Sequence, residues 1–124
     1  MTNDDVKRLT ADADGLLTYE YIANHIDDCD GDLAWLVDNI IRVDLNGQFT
    51  ASAARYLHAV DEAKYAAEVS ALVSAAIGKD REHRYLPSLM ASVYGEDYQQ
   101  RAADLSAHDD NFRRLYKRLF PTGF

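Results

Sequence analysis

The chain has 124 residues, of which 48% are hydrophobic and 27% charged, and this balance excludes a disordered chain and suffices for one domain with its own core. The formal net charge of −8 argues against nucleic acid as a partner, because affinity for nucleic acid comes mainly from basic residues that neutralise phosphates. No apolar run is long enough to cross a bilayer, and the single Cys29 cannot form an internal disulfide. We therefore expect a single domain spanning residues 1–124, located in the cytoplasm and not associated with a membrane.

The charge is unevenly distributed along the chain. Residues 1–62 contain 13 acidic and 4 basic residues, whereas residues 63–124 contain 8 acidic and 9 basic residues. Such asymmetry is typical of proteins whose acidic half binds a cationic partner. It also fits a protein whose acidic face only keeps it soluble.

Helical spacing dominates the first half, and no run of alternating β-branched and polar residues predicts a strand. A short helix is predicted over residues 4–12, followed by TYEYIANHI, for which Thr18 is the candidate N-cap. The segment LAWLVDNIIRV carries apolar residues at the spacing of a buried helical face, with Asp32 as its predicted cap.

The second half continues the helical pattern. Residues 50–77 are rich in alanine and predict either one helix that begins at Thr50 or two with a break near Asp61, with Gly78 as a left-handed C-cap. Pro87 favours a helix start, because proline is best tolerated in a first turn. Two further helices are predicted in EDYQQRAADLSAH and DDNFRRLYKRLF. The predicted fold class is all-α, a compact bundle of about six to eight helices joined by short Asp-Gly turns.

A short motif, D-x-[DN]-G-x-[LF], occurs three times at a spacing of sixteen residues, beginning at Asp12, Asp28 and Asp44. Each copy supplies positions 3, 5, 6 and 8 of an EF-hand loop, but none supplies the acidic residue at position 12 that would bind calcium with both oxygens. We interpret the copies as connectors between helices, in which glycine provides a left-handed conformation. The alternative is a weak calcium site at the first copy, with Asp12, Asp14 and Glu20, or at the second copy, with Asp28 and Asp30.

Catalytic motifs are missing from the sequence. His25 and Cys29 have the spacing of a metal pair, but a closed zinc site needs four ligands. The chain contains no P-loop, nucleophile elbow or zinc-protease motif. We therefore expect binding rather than catalysis, and no cofactor.

The C-terminal segment DDNFRRLYKRLF predicts a basic amphipathic helix. Its apolar stripe is flanked by four cations, Arg113, Arg114, Lys117 and Arg118. One alternative is that the protein is a nucleic-acid-binding module that uses this helix despite the net charge. The other is a structural role, because the acidic residues at the start of the helix and the cations near its end both suit the helix dipole. Because the first half is acidic, this helix could also pair with it, within one chain or between two copies.

The leading functional hypothesis is a protein-interaction or regulatory module that binds a cationic protein partner through an acidic helical face. The carboxylates assigned to this face are Asp27, Asp28, Asp30, Asp32 and Asp38. Trp35 or Tyr19 would serve as an aromatic anchor. In a narrower version, the carboxylates imitate the phosphates of DNA and occupy a nucleic-acid-binding protein.

Overall fold

The computed structural model describes residues 1–122, and this part of the chain contains eight α-helices and no β-strand. The all-α prediction is therefore confirmed, with the helix number at the upper end of the expected range. A short 3-10 helix, Asp30–Asp32, precedes the third α-helix. The α-helices are α1 (Asn3–Thr10), α2 (Leu16–Asn24), α3 (Leu33–Val43), α4 (Gln48–Asp61), α5 (Ala66–Lys79), α6 (Leu86–Tyr94), α7 (Ala102–His108) and α8 (Asp110–Leu119).

The helices pack around a central pair, α4 and α5, which share the most extensive contact. On α5 lie α3 and α8, and on α4 lie α2 and α6. Ala51, Ala53 and Ala54 of α4 are fully buried. None of the helices in residues 1–122 is long and apolar enough to span a bilayer.

The C-terminal ends of α1, α3, α5 and α8 are joined by side-chain hydrogen bonds at one end of the molecule, where α2, α4 and α6 also begin. We call this the turn end, since it holds the first and third Asp-Gly turns. We call the opposite end the acidic end. It holds the α2–α3 connection (residues 25–32), the α4–α5 connection (residues 62–65) and the start of α8. An ion pair of 2.9 Å between Lys64 and Asp30 joins these two connections.

Of the two alternatives for residues 50–77, the structure shows two helices, with the break directly after Asp61. Asp61 accepts a hydrogen bond from the backbone N–H of Lys64 at 3.0 Å, which closes the turn after α4. Tyr65 is buried at the start of the next helix and fixes its direction. The helix near Pro87 is also found, with the proline in its first turn.

Two predicted N-caps are wrong. Thr18 and Thr50 lie inside their helices and are completely buried, while the N-cap positions are occupied by Gly15 and Gly47. These glycines have φ values of 104° and 89°, a region that side-chain-bearing residues rarely adopt. The left-handed glycines therefore precede a helix rather than end one.

Two other predicted caps also differ. Gly78 is not a left-handed C-cap, because α5 continues through Lys79 and the φ of Gly78 is not positive. Asp32 stands at the N-cap position of α3 but makes no capping hydrogen bond. Its carboxylate instead accepts from the amino group of Met1, at 3.0 Å.

Candidate functional site

The first Asp-Gly turn is organised around the buried carboxylate of Asp12. One oxygen accepts from the backbone N–H groups of Asp14 (3.3 Å) and Gly15 (3.1 Å). The other accepts from both the backbone N–H and the hydroxyl of Thr18, at 2.9 and 2.7 Å. Burial raises the pKa of this carboxyl, but the hydrogen bonds outweigh burial and hold the pKa below its ordinary value. Asn39 of α3 completes the turn by donating to the Thr18 hydroxyl at 3.0 Å.

The third turn repeats this arrangement. Asp44 accepts from the N–H groups of Asn46 (3.2 Å) and Gly47 (3.0 Å), and from the N–H and hydroxyl of Thr50, both at 2.8 Å. Both carboxylates thus cap the helix that begins after the turn. The sequence signal that identifies them is a threonine six residues after the aspartate.

A third buried aspartate caps α6 in a related way. Asp80 accepts from the backbone N–H groups of Arg84 (3.0 Å), Tyr85 (2.7 Å) and Leu86 (2.9 Å). The intervening loop carries His83 at a φ of 56°, so this cap is built on a locally strained backbone. Neither an Asp-Gly motif nor a threonine marks it in the sequence.

The second copy of the motif forms a different turn. Gly31 has no positive φ and is part of the 3-10 helix. Within residues 1–122 Asp28 accepts none of the backbone hydrogen bonds seen at Asp12 and Asp44. The residue six positions after Asp28 is Ala34, which has no hydroxyl to donate.

Among the described residues, the acidic side chains of the two alternative calcium sites are not grouped as ligands. In the part of the chain that the structure describes, no three His, Cys, Asp or Glu side chains are grouped as metal ligands. The oxygens of Asp12 already accept from N–H and O–H donors, and one oxygen of Asp14 accepts from the N–H of Leu16 at 3.0 Å. A cation would have to displace those donors. Glu20 is exposed on α2, and Asp28 and Asp30 lie at the acidic end.

The His25 and Cys29 pair is also not arranged as a metal site. His25 stacks on Tyr21, with ring centroids 3.9 Å apart, and its Nδ1 is 2.9 Å from the Tyr21 carbonyl oxygen. Cys29 is buried, and burial, reinforced by Asp30, raises the pKa of its thiol. A neutral buried thiol is a packing group.

Cations stabilise the C-terminal ends of the helices at the turn end. In each case a basic side chain near the end of one helix donates to a carbonyl oxygen at the end of the neighbouring helix, where the helix dipole is negative. The pairs are Arg42 with Thr10 (2.8 Å), Lys79 with Asp44 (2.6 Å) and Arg118 with Ile77 (2.9 Å).

The surface of the turn end is basic and carries one prominent apolar side chain. Leu45 is 84% exposed, the largest exposure among the large hydrophobic residues that the structure describes. It borders an open cavity of about 460 Å³ whose other walls include Lys79, Arg81 and Arg84. Arg84 pairs with Glu82 at 2.7 Å, while Arg81 is exposed and forms no ion pair within residues 1–122.

The carboxylates predicted for the partner-binding face are not equally available. Asp30 pairs with Lys64, whose pKa is raised by that hydrogen bond, and Asp32 pairs with the amino group of Met1. Asp27 and Asp28 are exposed, and neither forms an ion pair in the described part of the chain. The α2–α3 connection therefore presents two unneutralised carboxylates side by side.

The two candidate aromatic anchors lie in different surroundings. Trp35 is half-buried in the first turn of α3, and Asp38 is exposed one turn later on the same helix. Tyr19 instead packs against Phe49 and Tyr56, with ring centroids 6.4 and 6.3 Å away. Trp35 is therefore the candidate anchor that lies on the same helix as one of the predicted carboxylates, Asp38.

A groove that the sequence did not reveal lies at the acidic end, between α5 and α6. It has a volume of about 450 Å³ and an apolar lining of alanine and valine: Ala63, Ala66, Val69, Val73 and Val93. Its rim contains Glu62, Asp109 and His58, whose Nε2 lies 3.4 Å from a carboxylate oxygen of Glu62. Asp109 accepts from the N–H of Phe112 at 3.0 Å and from the hydroxyl of Tyr94 at 3.3 Å. Burial, aided by Asp109, raises the pKa of Tyr94, so this phenol is neutral.

The basic residues of α8 are largely engaged inside the C-terminal half. Arg113 pairs with Asp110, and Arg114 donates to Ser74 at 3.1 Å. Arg118 caps α5, as described above, and Lys117 forms no ion pair within residues 1–122. None of the four cations pairs with an acidic residue of the first half among the described residues. The pairing of α8 with the acidic half within one chain is therefore not found.

Comparisons of this chain with protein-family models, with curated proteins and with solved structures find no match.

Proposed function

We propose that this protein is a non-enzymatic interaction module that binds a cationic segment of a protein partner at its acidic end. The observation that supports the proposal is the pair of exposed carboxylates, Asp27 and Asp28, in the α2–α3 connection. Neighbouring carboxylates without a cation attract basic side chains and accelerate their encounter with the surface.

The surroundings of this pair favour a specific binding site over non-specific attraction by the negative charge of the protein. Asp30 and Asp32 are held by Lys64 and the amino group of Met1, so they fix the connection in place. Trp35 is half-exposed at the start of the helix that follows, and aromatic residues at the edge of a charged patch are frequent anchors of interfaces. A connection held by two ion pairs, with two free carboxylates, fits a lysine- or arginine-containing segment, and Trp35 on the following helix is its candidate anchor.

The test is titration of the protein with a fluorescein-labelled oligolysine peptide, followed by anisotropy and by the intrinsic fluorescence of Trp35, the only tryptophan in the sequence. Replacing both Asp27 and Asp28 by Asn should weaken binding about tenfold, because two attractive charges are removed. Glu20→Gln combined with Glu82→Gln is the matched control, since it also removes two exposed carboxylates and both lie outside the acidic end. The control should bind like the unmodified protein.

Two results would overturn the proposal. In the first, the peptide binds equally to the Asn variant and to the control, which would mean that only net charge attracts it. In the second, a labelled DNA duplex binds, the peptide does not, and the replacement of Arg113 and Lys117 by Gln abolishes DNA binding. That outcome would establish the alternative of a nucleic-acid-binding module.

A further inference from the structure

The basic residues are concentrated at the turn end. They come from the last turns of α1, α3, α5 and α8 and from the loop before α6, and they are Lys7, Arg8, Arg42, Lys79, Arg81, Arg84, Lys117 and Arg118. The aspartates that cap helices there are buried and their oxygens accept from N–H donors, so they present little charge to an approaching molecule. Two exposed acidic residues also lie at this end, Asp14 and Glu82, and Glu82 pairs with Arg84. The exposed cations outnumber them, so the turn end carries a net positive charge toward solvent.

The acidic end has the opposite charge. Exposed acidic residues lie in its two connections, at the end of α4 and at the starts of α1 and α8: Asp4, Asp27, Asp28, Asp30, Asp61, Glu62 and Asp110. Several of them stand in first turns because carboxylates stabilise the positive end of a helix dipole. The orientation of the helices thus separates the charge along the molecule, with the acidic and basic surfaces about one helix length apart.

The two ends also match in their apolar features. At the turn end Leu45 projects into solvent beside Arg81 and Arg84. At the acidic end an apolar groove of about 450 Å³ opens beside Glu62 and Asp109. The volume of this groove is ample for a leucine side chain. An exposed leucine among cations and an apolar groove with an acidic rim are complementary in both polarity and charge.

We propose that the cationic partner of the acidic end is the turn end of a second copy of this chain. Leu45 of one copy enters the α5–α6 groove of the next, and Arg81 and Arg84 face Glu62 and Asp109. This inference rests on the proposed function, because it names the partner of the same acidic end. The contact joins two different surfaces, so each copy keeps one unoccupied surface and the association continues into a ring or a chain of molecules.

The test uses sedimentation velocity of the full chain over a series of concentrations. The unmodified protein should form species larger than a dimer as its concentration rises. Leu45→Asp blocks the turn end and Glu62→Lys blocks the acidic end, and each should raise the dissociation constant by at least about tenfold. Both side chains are exposed, so neither change should affect folding, which circular dichroism checks. Glu20→Lys makes the same charge change on α2 and should assemble normally.

A mixture of the two blocked variants gives the sharpest outcome. Leu45→Asp retains an intact acidic end and Glu62→Lys retains an intact turn end, so an equimolar mixture should form a dimer with one copy of each and grow no further. Self-association of the unmodified protein without a dimer in this mixture would overturn the inference, because another surface would then be responsible.

The remaining outcomes separate this inference from the proposed function. If the unmodified protein stays monomeric at every concentration but binds oligolysine through Asp27 and Asp28, the inference fails and the proposed function stands. If the unmodified protein is monomeric and does not bind oligolysine, both fail.

Discussion

Thr50 donates both its backbone N–H and its hydroxyl to one oxygen of Asp44, at 2.8 Å each, although the two residues are six positions apart. Thr18 and Asp12 have the same relationship at 2.9 and 2.7 Å. The aspartate precedes the turn, and its carboxylate caps the helix that follows the turn. The threonine lies inside that helix and holds the carboxylate in place through its two hydrogen bonds. Both pairs are buried, so these turns are part of the core and not surface connections.

The glycines of the three motif copies should respond differently to alanine. Gly15→Ala and Gly47→Ala should each destabilise the fold by about 1–2 kcal/mol or more, because alanine disfavours positive φ. An added Cβ would also lie 3.2 Å from the Cβ of Phe49 at Gly15, and 3.3 Å from the Cβ of Asp80 at Gly47. Gly31→Ala should change stability little, since its φ is not positive and its surroundings are open. Urea unfolding of the three variants measures this, and equal losses would contradict the difference between the turns.

Gly78→Ala should stabilise the protein. Gly78 lies within α5 and has no atom within 4 Å of an added Cβ. Alanine in a helix is favoured over glycine by about 0.5–1 kcal/mol. The same urea titration measures the gain, and a loss of stability would restore the interpretation of this glycine as a left-handed cap.

The threonine hydroxyls should contribute to stability through the buried carboxylates. Thr50→Val keeps the side-chain shape but removes the donor to Asp44, and we expect a loss of about 1–2 kcal/mol. Thr18→Val should cost more than Thr50→Val, because the Thr18 hydroxyl also accepts from Asn39 at 3.0 Å. Thermal or urea unfolding checks the order of the two variants. Equal stability of Thr50→Val and the unmodified protein would contradict a role for the hydroxyl.

Asp12 should make stability depend on pH in the acid range. The pKa of its carboxyl is below the ordinary value of 3.8 in the folded protein, so the folded state favours the charged form. The resulting stabilisation is complete above pH 3.8 and is lost as the pH falls below 3.8 through the lower pKa of the folded state. Asp12→Asn should be less stable at neutral pH and should lose less stability on acidification. Urea unfolding at a series of pH values measures both slopes, and identical slopes would refute the assignment.

The cation at the end of α8 should matter more than its neighbour. Arg118 donates to the carbonyl oxygen of Ile77 at the end of α5, whereas Lys117 has no ion pair within residues 1–122. Arg118→Met should therefore destabilise the fold by about 0.5–1 kcal/mol, and Lys117→Met should have little effect. Both substitutions remove one positive charge, so a difference in urea midpoint reports the helix-end contact. Equal midpoints would show that only net charge matters.

Local rules accounted for most helix positions. The apolar spacing of α3 and the first-turn position of Pro87 were predictable, because hydrophobic periodicity and proline geometry act over a few residues. The same rules left open whether residues 50–77 form one helix or two. The same rules failed for Thr18 and Thr50. A threonine before an apolar run resembles an N-cap, but the aspartate six residues earlier takes that role.

The sequence alone determined the all-α class, the number of helices within its range and the excess of acid in the first half. Only the tertiary structure decided that the second motif copy forms a different turn, that Asp30 and Asp32 are neutralised while Asp27 and Asp28 are not, and that an apolar groove opens beside Glu62. The physical reason is that helix formation depends on neighbouring residues, whereas hydrogen-bond partners, ion pairs and grooves depend on which distant segments are packed together.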